Sequence, residues 1–442
     1  AEMQKKKDRS RAAPATDAGD WIIVNEEVAR VEFIGYNLFQ TDAKILRYRT
    51  VKQKGKEAFQ LVLDRTPFYA ESGGQVGDTG ELIINNEKIK IVDTKKENDL
   101  IIHFAEKLPK ELSGDAVAKV DAEKRSQTAL HHSATHLLHA ALRKVLGTHV
   151  TQKGSLVAPG YLRFDFAHFS KVTDEEMAEV EKLVNEKIRQ NIPVSIQQMS
   201  KDEAVQSGAM ALFGEKYGDT VRVVTMDPSY SVELCGGTHV GATGELGLFK
   251  ITSESAVAAG VRRIEAVCGK AAETFVDNQL QQLQQVKEAL KNPKDIIKAI
   301  QSLHDETAAL RKGLERFEAA QLKSIKEGLL QKKEEVNGVS FIGAVTEVGS
   351  ADALKKLAFE LKGSLTNYAI VLAAAVEGKA QVVVMYDEAL VAAKNLDAGA
   401  TIKQKIAPLI KGGGGGQKSL ATAGGQNTSE LEEVIKAVKD LL

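Results

Sequence analysis

The sequence contains few cysteines and no long apolar run. Only two cysteines, Cys235 and Cys268, occur among 442 residues, too few for a disulfide framework and as expected in a reducing cytoplasm. No apolar stretch is long enough to cross a bilayer, and no signal peptide is recognisable. The sequence therefore indicates neither membrane insertion nor secretion, and we expect a cytoplasmic protein.

Basic residues are not in excess, and an initiating methionine is missing. Lysine and arginine together number 59 and aspartate and glutamate 60, so the formal net charge is -1. This balance excludes a general attraction to nucleic acid, and any such contact has to be a local patch. Since the chain opens on the charged segment AEMQKKKDRSR with no capping residue ahead of it, we expect it to be a piece of a larger protein.

What the sequence does contain is a succession of segments with different periodicities, which predicts a multidomain α+β protein. Short strand-like runs such as FQLVLDRTPFY and ELIINNEKIKIVD predict a small barrel or open sheet near the N-terminus. Two long runs of helical period, separated by Asn292 as N-cap and Pro293, predict an antiparallel helical hairpin. The expected parts are an arm or truncated linker at 1–20, a β-barrel-like subdomain at 21–116, an α+β core at 117–269, the hairpin at 270–335 and a small α/β domain at 336–442.

Four of the nine histidines fall in LHHSATHLLHAAL, residues 130–142. At about 100° per helical residue, His132, His136 and His139 lie within roughly 60° of each other, opposite an apolar stripe, whereas His131 points sideways. Two histidines on one helix face can bind a metal ion; the alternative is a set of surface histidines. The spacing does not distinguish a His132/His136 pair from a His136/His139 pair.

A second motif, about a hundred residues further on, strengthens the metal hypothesis. ELCGGTHVG places Cys235 and His239 four residues apart around two glycines that permit a tight turn. A thiolate and imidazoles are ligands that zinc prefers, and the two motifs together supply four of them. The alternative is a small buried cysteine beside a turn histidine. A zinc ion bound by both motifs would join the helix to the later sheet and stabilise the fold.

Together these motifs resemble the C-terminal half of alanyl-tRNA synthetases, an editing domain followed by a tRNA-binding domain. HSATH and CGGTH carry the resemblance, with PFYAESGGQVGDTGEL upstream and GVRRIEAVCG and KGGGGGQKSLATAGG downstream, so that it covers essentially the whole chain. The paired motifs are shared with free-standing alanyl-tRNA editing proteins and the threonyl-tRNA synthetase editing domain. Nothing resembles a class II adenylation core, so we expect that this chain alone does not aminoacylate tRNA and that ATP binds only to the full-length protein.

The resemblance implies a Zn²⁺ site and leaves two of the clustered histidines, His131 and His139, outside it. The implied ligands are His132, His136, Cys235 and His239. Four protein ligands describe a closed site, whereas a catalytic zinc keeps a position open for water. Either one ligand binds weakly and yields to water or substrate, or zinc mainly positions the substrate, which is the version we favour.

The resemblance also implies the reaction, which is hydrolysis of the ester that links serine or glycine to the 3′ end of tRNA(Ala). A synthetic pocket for alanine rejects glycine and serine only weakly, so a second, hydrolytic site is needed. Thr151 and Gln152, in THVTQKGS, are implied as catalytic pocket residues. If zinc positions the substrate, Gln152 and the tRNA terminus would orient the attacking water.

Two further segments are candidates for contact with tRNA. Arg262 and Arg263 are consecutive in a predicted strand, so they should point to opposite faces, and only one of them faces the site or the tRNA. KGGGGGQK lacks the spacing of a Walker phosphate loop and is interpreted as a flexible clamp on the tRNA backbone, with a disordered linker as the alternative. Its candidate contact residues are Lys411, Gly413, Gly414 and Lys418.

Two glycine-rich loops allow two interpretations each. In the loop at 67–78, the glycines could let the tRNA backbone approach closely, with Glu71 and Gln75 near the mouth of the editing pocket. The alternative is a turn with a purely structural role. In the loop at 208–219, Lys216 and Tyr217 could contact tRNA, but an ordinary loop is the preferred interpretation.

Two other functions fit the same residues. One is a free-standing deacylase that edits mischarged tRNA(Ala) in trans. The other is a non-catalytic module for tRNA binding and oligomerisation, with a structural zinc. A homodimer could form through the helical hairpin or the C-terminal domain. The hairpin is interpreted as a spacer or a dimer contact, and solvated helices are the default because its faces are heavily charged although one stripe is apolar.

Overall fold

The computed structural model describes residues 17–25, 31–53, 56–210 and 218–442. Most of the arm expected at 1–20 lies outside these ranges, and so do Lys216 and Tyr217. The chain divides into two compact units, Ala1–Val286 and Lys287–Leu442. Both units contain helices and strands, which confirms the expected multidomain α+β class. No helix within the described ranges is long and apolar enough to cross a membrane.

Within the described ranges, ten strands precede the helix that begins at Ala122: β1 Asp17–Ala18, β2 Ile22–Ile23, β3 Glu32–Phe33, β4 Gln40–Gln53, β5 Lys56–Leu63, β6 Arg65–Thr66, β7 Gly80–Ile84, β8 Glu87–Glu97, β9 Leu100–Ala105 and β10 Asp115–Val120. Strand β4 pairs with both β5 and β10, and the pairings β10–β7–β8–β9–β5 close a ring. Strand β8 shows the alternation behind this sheet, since Ile89 and Ile91 are buried whereas Lys88 and Lys90 are exposed. Strands β3 and β6 form a separate parallel pair.

His103 on β9 is buried inside this sheet and makes the stability of the first unit sensitive to acid. Its Nε2 lies 2.8 Å from Oγ1 of Thr66, and its Nδ1 lies 3.2 Å from the carbonyl oxygen of Leu61. Burial lowers the pKa of His103 to about 4, so between that pH and about 6.5 the unfolded chain binds a proton that the folded chain does not. We expect a stabilisation that is complete above pH ~6.5 and falls by on the order of 3 kcal/mol as the pH drops to ~4.

Thermal unfolding measured from pH 7 to pH 4 tests this expectation. His103→Gln should flatten part of the pH dependence, because glutamine cannot take up a proton. His304→Gln is the matched control, since His304 is an exposed histidine on a helix and its replacement should leave the profile unchanged. Identical profiles for the wild type and His103→Gln would contradict the proposed origin of the acid sensitivity.

The rest of the first unit is built around one long helix. Its elements are α1 Ala122–Leu146, β11 Gln152–Ala158, β12 Tyr161–Ala167, α2 Asp174–Arg189, β13 Ser195–Ser200, α3 Lys201–Gln206, β14 Thr220–Thr225, β15 Val232–Leu234, a 3-10 turn Thr243–Leu246, β16 Phe249–Ala258, β17 Val261–Cys268 and α4 Lys270–Ala289. The strands form two antiparallel sheets, ordered β11–β12–β17–β16 and β13–β14–β15. Helix α1 starts after Asp121, whose carboxylate accepts the backbone N–H of Lys124, and it ends at Gly147.

Helix α1 is buried on all sides over residues 131–142. Its apolar stripe, including Leu137 and Leu138, packs in one cluster with Phe164 and Phe166 of β12. The histidine face is buried as well, against other parts of the unit. The interpretation of these histidines as surface residues is therefore wrong, because a polar helix face is also buried where other side chains satisfy it.

The second unit contains one six-stranded sheet, ordered β18–β19–β20–β21–β23–β22, in which only the β19–β20 pair is parallel. Its elements are α5 Ile296–Gln331, β18 Glu334–Val336, β19 Val339–Val345, α6 Ala351–Lys362, β20 Tyr368–Val376, β21 Lys379–Tyr386, α7 Glu388–Lys394, α8 Ala398–Thr401, a π-helical turn Ile402–Ile406, α9 Ala407–Ile410, β22 Gly412–Gly416, β23 Leu420–Gly425 and α10 Leu431–Lys439. The two long helices α4 and α5 are present. The expected Asn292 cap is wrong, because Asp295 caps α5 through the backbone N–H of Lys298.

The five-glycine segment forms the edge strand β22, which pairs with β23 along its whole length. It is therefore a strand rather than a flexible clamp or a disordered linker, and its contact with tRNA stays a prediction. Close pairing explains alternate glycines of this strand, since a Cβ at Gly414 would lie 2.2 Å from the carbonyl oxygen of Thr422, and one at Gly412 would lie 2.0 Å from that of Gly424. A Cβ at Gly413 or Gly415 would meet no atom within 4 Å.

Candidate metal centre

Two segments that are distant in the sequence bring four potential metal ligands together. Helix α1 contributes His132 and His136, one turn apart, and the turn after β15 contributes Cys235 and His239. One ligand atom of each residue lies within 4.8 Å of all the others. The Sγ of Cys235 is 3.4 Å from Nε2 of His132 and 3.3 Å from Nε2 of His239. The structure thus brings together all four residues that the two motifs indicated.

Hydrogen bonds on the far side of the rings orient the two helix ligands. Nδ1 of His132 donates to Oε1 of Gln75 over 2.7 Å, and Nδ1 of His136 donates to Oε2 of Glu233 over 2.7 Å. Because acceptor oxygens fix the proton on Nδ1, Nε2 presents its lone pair to the cluster. Such outer hydrogen bonds are typical of histidines that bind a metal.

His136 provides the observation that most favours a metal ion. Its Nε2 is buried and has no hydrogen-bond partner among the described residues, which is a costly state for a polar atom. An ion held between the four ligands would supply the missing partner. One cysteine with three histidines is a donor set typical of zinc, so the residues present fit Zn²⁺.

The charges of the cluster also suit a cation. Burial raises the pKa of the Cys235 thiol, but charge on the neighbouring imidazoles, that of His132 first, outweighs it and holds this pKa well below its usual value, which favours the metal-binding thiolate. Burial lowers the pKa of His239 to about 3, so this imidazole is neutral. Burial likewise raises the pKa of Glu233, but His136 and His139 outweigh it and lower that pKa to about 2, so the carboxylate is ionised.

The turn that carries Cys235 and His239 is fixed by its neighbours. Nη1 of Arg222 donates to the carbonyl oxygens of Cys235 and Gly237, over 3.0 and 2.7 Å. Gly237 lies directly against the ring of His132, since a Cβ at this position would be 2.0 Å from its Cε1. The second motif therefore needs a glycine here because the turn and the helix meet at this point.

The two histidines left outside the ligand set have different surroundings. Nδ1 of His131 donates to the carbonyl oxygen of Gln127 over 2.9 Å, and its Nε2 accepts the backbone N–H of Cys268 over 3.2 Å. His131 therefore joins α1 to the end of β17. Nδ1 of His139 lies 3.0 Å from Oε1 of Glu233, the same carboxylate that orients a ligand.

Glu233 and Ser133 are site residues that the motifs did not reveal. Ser133 places its Oγ 3.1 Å from Nδ1 of His239, so each of the three histidine ligands has an outer partner. In the loop at 67–78, Gln75 is buried and contacts His132 and Thr238, whereas Glu71 pairs with Lys95. The interpretation of this loop as the mouth of a pocket that tRNA approaches stays a prediction. The sequence offered one hint of the role of Glu233, which is that this acidic residue lies two positions before Cys235.

Gln152 is the first residue of β11, and Thr151 directly precedes it. Gln152 is the cross-strand partner of Phe166, whose side chain belongs to the cluster that packs on α1. Cross-strand partners project from the same face of a sheet, so Gln152 shares the face that covers α1. In the described part of the chain, no recorded hydrogen bond joins either residue to the four ligands, and their catalytic role stays a prediction.

The two arginines of β17 point to opposite faces, as expected. Arg262 is the partner of Phe166 on the side that faces α1, and its Nη2 donates to Glu254 over 2.6 Å. Arg263 lies on the other face, where it donates to Asp165 over 2.6 and 2.8 Å. The arginine on the helix side is therefore Arg262.

The remaining tRNA-contact candidates belong to the second unit. Lys411, with a left-handed backbone at φ 49°, immediately precedes β22, and Lys418 follows it. Both lysines are exposed. Gly413 and Gly414 lie within the strand, and a Cβ at Gly413 would meet no atom within 4 Å.

A cavity of about 810 Å³ opens beside the metal-ligand cluster. Its wall contains His239 and Thr238 from the second motif, together with Tyr36, Phe39 and Arg222. A molecule bound in this cavity would therefore touch one of the four potential metal ligands directly.

Three segments of the chain match known family models. Residues 1–125 match the model of tRNA synthetases class II (A), residues 221–265 match the threonyl and alanyl tRNA synthetase second additional domain, and residues 338–442 match the DHHA1 domain. The first match covers the strand-rich segment, in which the sequence showed no resemblance to a class II core. The second match includes Cys235 and His239.

Alanine–tRNA ligases of several bacteria are similar to the whole chain. The ligase of Cytophaga hutchinsonii is 51% identical over 442 residues, and that of Bacteroides fragilis is 49% identical over 443 residues. Each alignment covers 100% of this chain and 50% of the relative, so the chain spans about half the length of the curated relatives it matches. The resemblance drawn from the motifs is confirmed.

One solved structure gives a weaker match. The C-Ala domain from Aquifex aeolicus alanyl-tRNA synthetase is 24% identical, with a TM-score of 0.23, over 25% of this chain and 96% of that chain. This likeness is too small to define a fold.

Proposed function

Because this chain is related along its whole length to alanine–tRNA ligases, we propose that its first unit hydrolyses mischarged tRNA at a zinc centre. The ligands are His132, His136, Cys235 and His239. The observation that carries the proposal is the convergence of their four ligand atoms, with Nε2 of His136 buried and otherwise unpartnered. The match of residues 221–265 to a domain of threonyl and alanyl tRNA synthetases supports it.

The proposed substrates are Ser-tRNA(Ala) and Gly-tRNA(Ala). A pocket that binds alanine rejects a smaller or slightly larger amino acid only weakly, so hydrolysis at a second site is what provides accuracy. The cavity beside His239 supports this proposal, since at about 810 Å³ it has room for an aminoacylated nucleotide. This chain alone does not aminoacylate tRNA in our proposal.

The protein residues divide the work of the proposed reaction. When bound, zinc supplies a Lewis acid that can polarise the ester carbonyl. Gln75 and Glu233 hold two ligand rings in place by their Nδ1 protons, so the ligands stay oriented without reorganisation. Gln152, on the sheet face next to α1, and the tRNA terminus orient the attacking water, with Thr151 beside Gln152. Four protein ligands favour zinc as the group that positions the substrate.

The second unit is the proposed binding domain for the body of the tRNA. Support comes from the exposed lysines Lys411 and Lys418 on either side of the glycine strand, which can pair with backbone phosphates. Gly413 and Gly414 between them carry no side chain that would keep a phosphate away. In the first unit, one of Arg262 and Arg263, which lie on opposite faces of β17, is the proposed contact.

A deacylation assay with and without a chelator tests the proposed function. Purified protein is incubated with Ser-, Gly- and Ala-tRNA(Ala), and the release of each amino acid is followed. We expect hydrolysis of the Ser and Gly esters well above that of the Ala ester, loss of activity after zinc removal, and recovery when Zn²⁺ is restored. Activity that survives complete zinc removal would exclude the zinc-dependent mechanism.

The same geometry also fits a non-catalytic module with a structural zinc, because four protein ligands are typical of closed structural sites. In that case, the protein would bind zinc and tRNA without hydrolysing any of the three esters. The assay therefore distinguishes the two functions. A free-standing deacylase acting in trans would give the same hydrolysis, and the length of the intact gene distinguishes that case.

A further inference from the structure

The cavity beside the metal-ligand cluster has an unusual wall for a site that meets water. Tyr36, Phe39 and Ile196 line it, and their exposed fractions are 44%, 45% and 41%. Large apolar side chains that remain exposed together inside a concave site usually mark a binding surface. His239 lies in the same wall, so the exposed rings border the place where the proposed reaction occurs.

The loop that carries these rings is fixed by buried charge. Arg125 of α1 is buried and pairs with the buried carboxylate of Asp78. Its Nη1 donates to the carbonyl oxygen of Gly35 over 2.6 Å, and its Cζ lies 5.7 Å from the centre of the Phe39 ring. A buried ion pair that also bonds the loop backbone holds the rings in one arrangement, so little entropy is lost when a ligand binds.

Tyr36 joins this loop to the metal-ligand turn. Its hydroxyl donates to the carbonyl oxygen of Gly236 over 2.7 Å, and the guanidinium of Arg222 lies 4.3 Å from the centre of its ring. Burial raises the pKa of the Tyr36 hydroxyl, so the hydroxyl remains a donor. These contacts fix the position of the Tyr36 ring relative to Gly236, which is the residue next to Cys235.

We propose that Tyr36 and Phe39 form the stacking site for the base of the 3′-terminal nucleotide of the tRNA, which places the aminoacyl ester beside His239. This inference rests on the proposed function. Aromatic side chains bind single-stranded nucleotides through the faces of the bases, and the terminal nucleotide of a tRNA is unpaired. The neighbouring cavity of about 1090 Å³ also has Tyr36 in its wall, together with Gly236. Among the described residues, its wall contains none of the four ligands, so we place the ester in the cavity beside His239.

Binding of tRNA(Ala) with and without its terminal nucleotide tests the stacking site. For the wild-type protein, removal of that nucleotide should weaken the affinity about tenfold, within the range for one stacked base. In Tyr36→Ala and Phe39→Ala, the full-length tRNA should bind about tenfold more weakly and the shortened tRNA equally well. Leu38→Ala is the matched control, because Leu38 lies in the same loop, is 49% exposed and is absent from the described wall of the cavity.

Zinc content and thermal unfolding of each variant show whether the fold is kept. If Tyr36→Ala loses zinc, Tyr36→Phe and Phe39→Ala decide, and Tyr36→Phe should bind like the wild type because it retains the ring. Equal discrimination between the two tRNAs by the wild type and Phe39→Ala would overturn the inference. A wild-type protein that shows the tRNA difference but hydrolyses no ester would instead contradict the proposed function and leave the stacking site intact.

Discussion

Replacing Cys235 with alanine is expected to remove zinc from the proposed site and to lower the proposed deacylation of Ser-tRNA(Ala) by more than about a hundredfold. Losing only an outer partner of a metal ligand costs up to about a hundredfold. The reason is that Cys235 contributes the only thiolate of the cluster, with Sγ within 3.4 Å of two imidazoles. Without the negative charge of the thiolate, the cluster retains three imidazoles and no anionic ligand. Zinc content by atomic absorption and the initial rate of amino acid release are the measurements.

The chain provides its own control for this substitution. Cys268 is the other cysteine, and it is buried as well, but it lies outside the group of four potential ligands, and its backbone N–H donates to His131. Cys268→Ala should therefore keep zinc and activity and lose on the order of 1 kcal/mol of stability. An active Cys235→Ala protein that still contains one zinc ion would refute the ligand assignment.

Gly237→Ala is expected to reduce deacylation by about a hundredfold, because a displacement of about 1 Å in a catalytic site has this effect. The new Cβ would lie 2.0 Å from Cε1 and 2.3 Å from Nδ1 of His132. Either the turn or the ring has to move, and movement of the ring also breaks the hydrogen bond to Gln75. Zinc affinity from competition with a chelator should fall together with the rate.

The neighbouring glycine distinguishes this clash from a general sensitivity of the turn. A Cβ at Gly236 would meet no atom within 4 Å, so Gly236→Ala should bind zinc with nearly wild-type affinity. Equal losses in the two variants would mean that the turn needs both glycines for its backbone. A wild-type zinc affinity in Gly237→Ala would show that the helix and the turn do not meet as described.

The proposed metal ligands could be named from the sequence because each pair is local and because the resemblance decides between His132/His136 and His136/His139. His132 and His136 share a helix face by spacing alone, and Cys235 and His239 flank a turn. The residues that hydrogen-bond to these ligands from outside could not be predicted. Gln75, for example, comes from a loop of the strand-rich segment, and the spacing of residues along a helix does not show which distant loop packs against that helix. The angular count grouped His139 with the two helix ligands correctly, but this face is buried rather than exposed.

The glycine segment shows a second limit. Five consecutive glycines suggest flexibility when composition alone is considered, because glycine has the greatest backbone freedom. In the structure, hydrogen bonding to β23 orders them as β22, and the close approach at Gly414 requires the absence of a side chain. Pairing between strands is a tertiary property, so the sequence of β22 alone could not predict it.

The ion pair between Arg125 and Asp78 has a consequence for how the first unit unfolds. The sequence suggested a boundary near residue 116, but Arg125 of α1 extends back across it to Asp78 and to the carbonyl oxygens of Gly35 and Pro67. Detaching the strand-rich segment from the helix would leave a buried charge without its partner, at a cost of about 3–5 kcal/mol. We therefore expect the strand-rich segment and the histidine helix to unfold together, with amide hydrogens in both segments exchanging through the same opening.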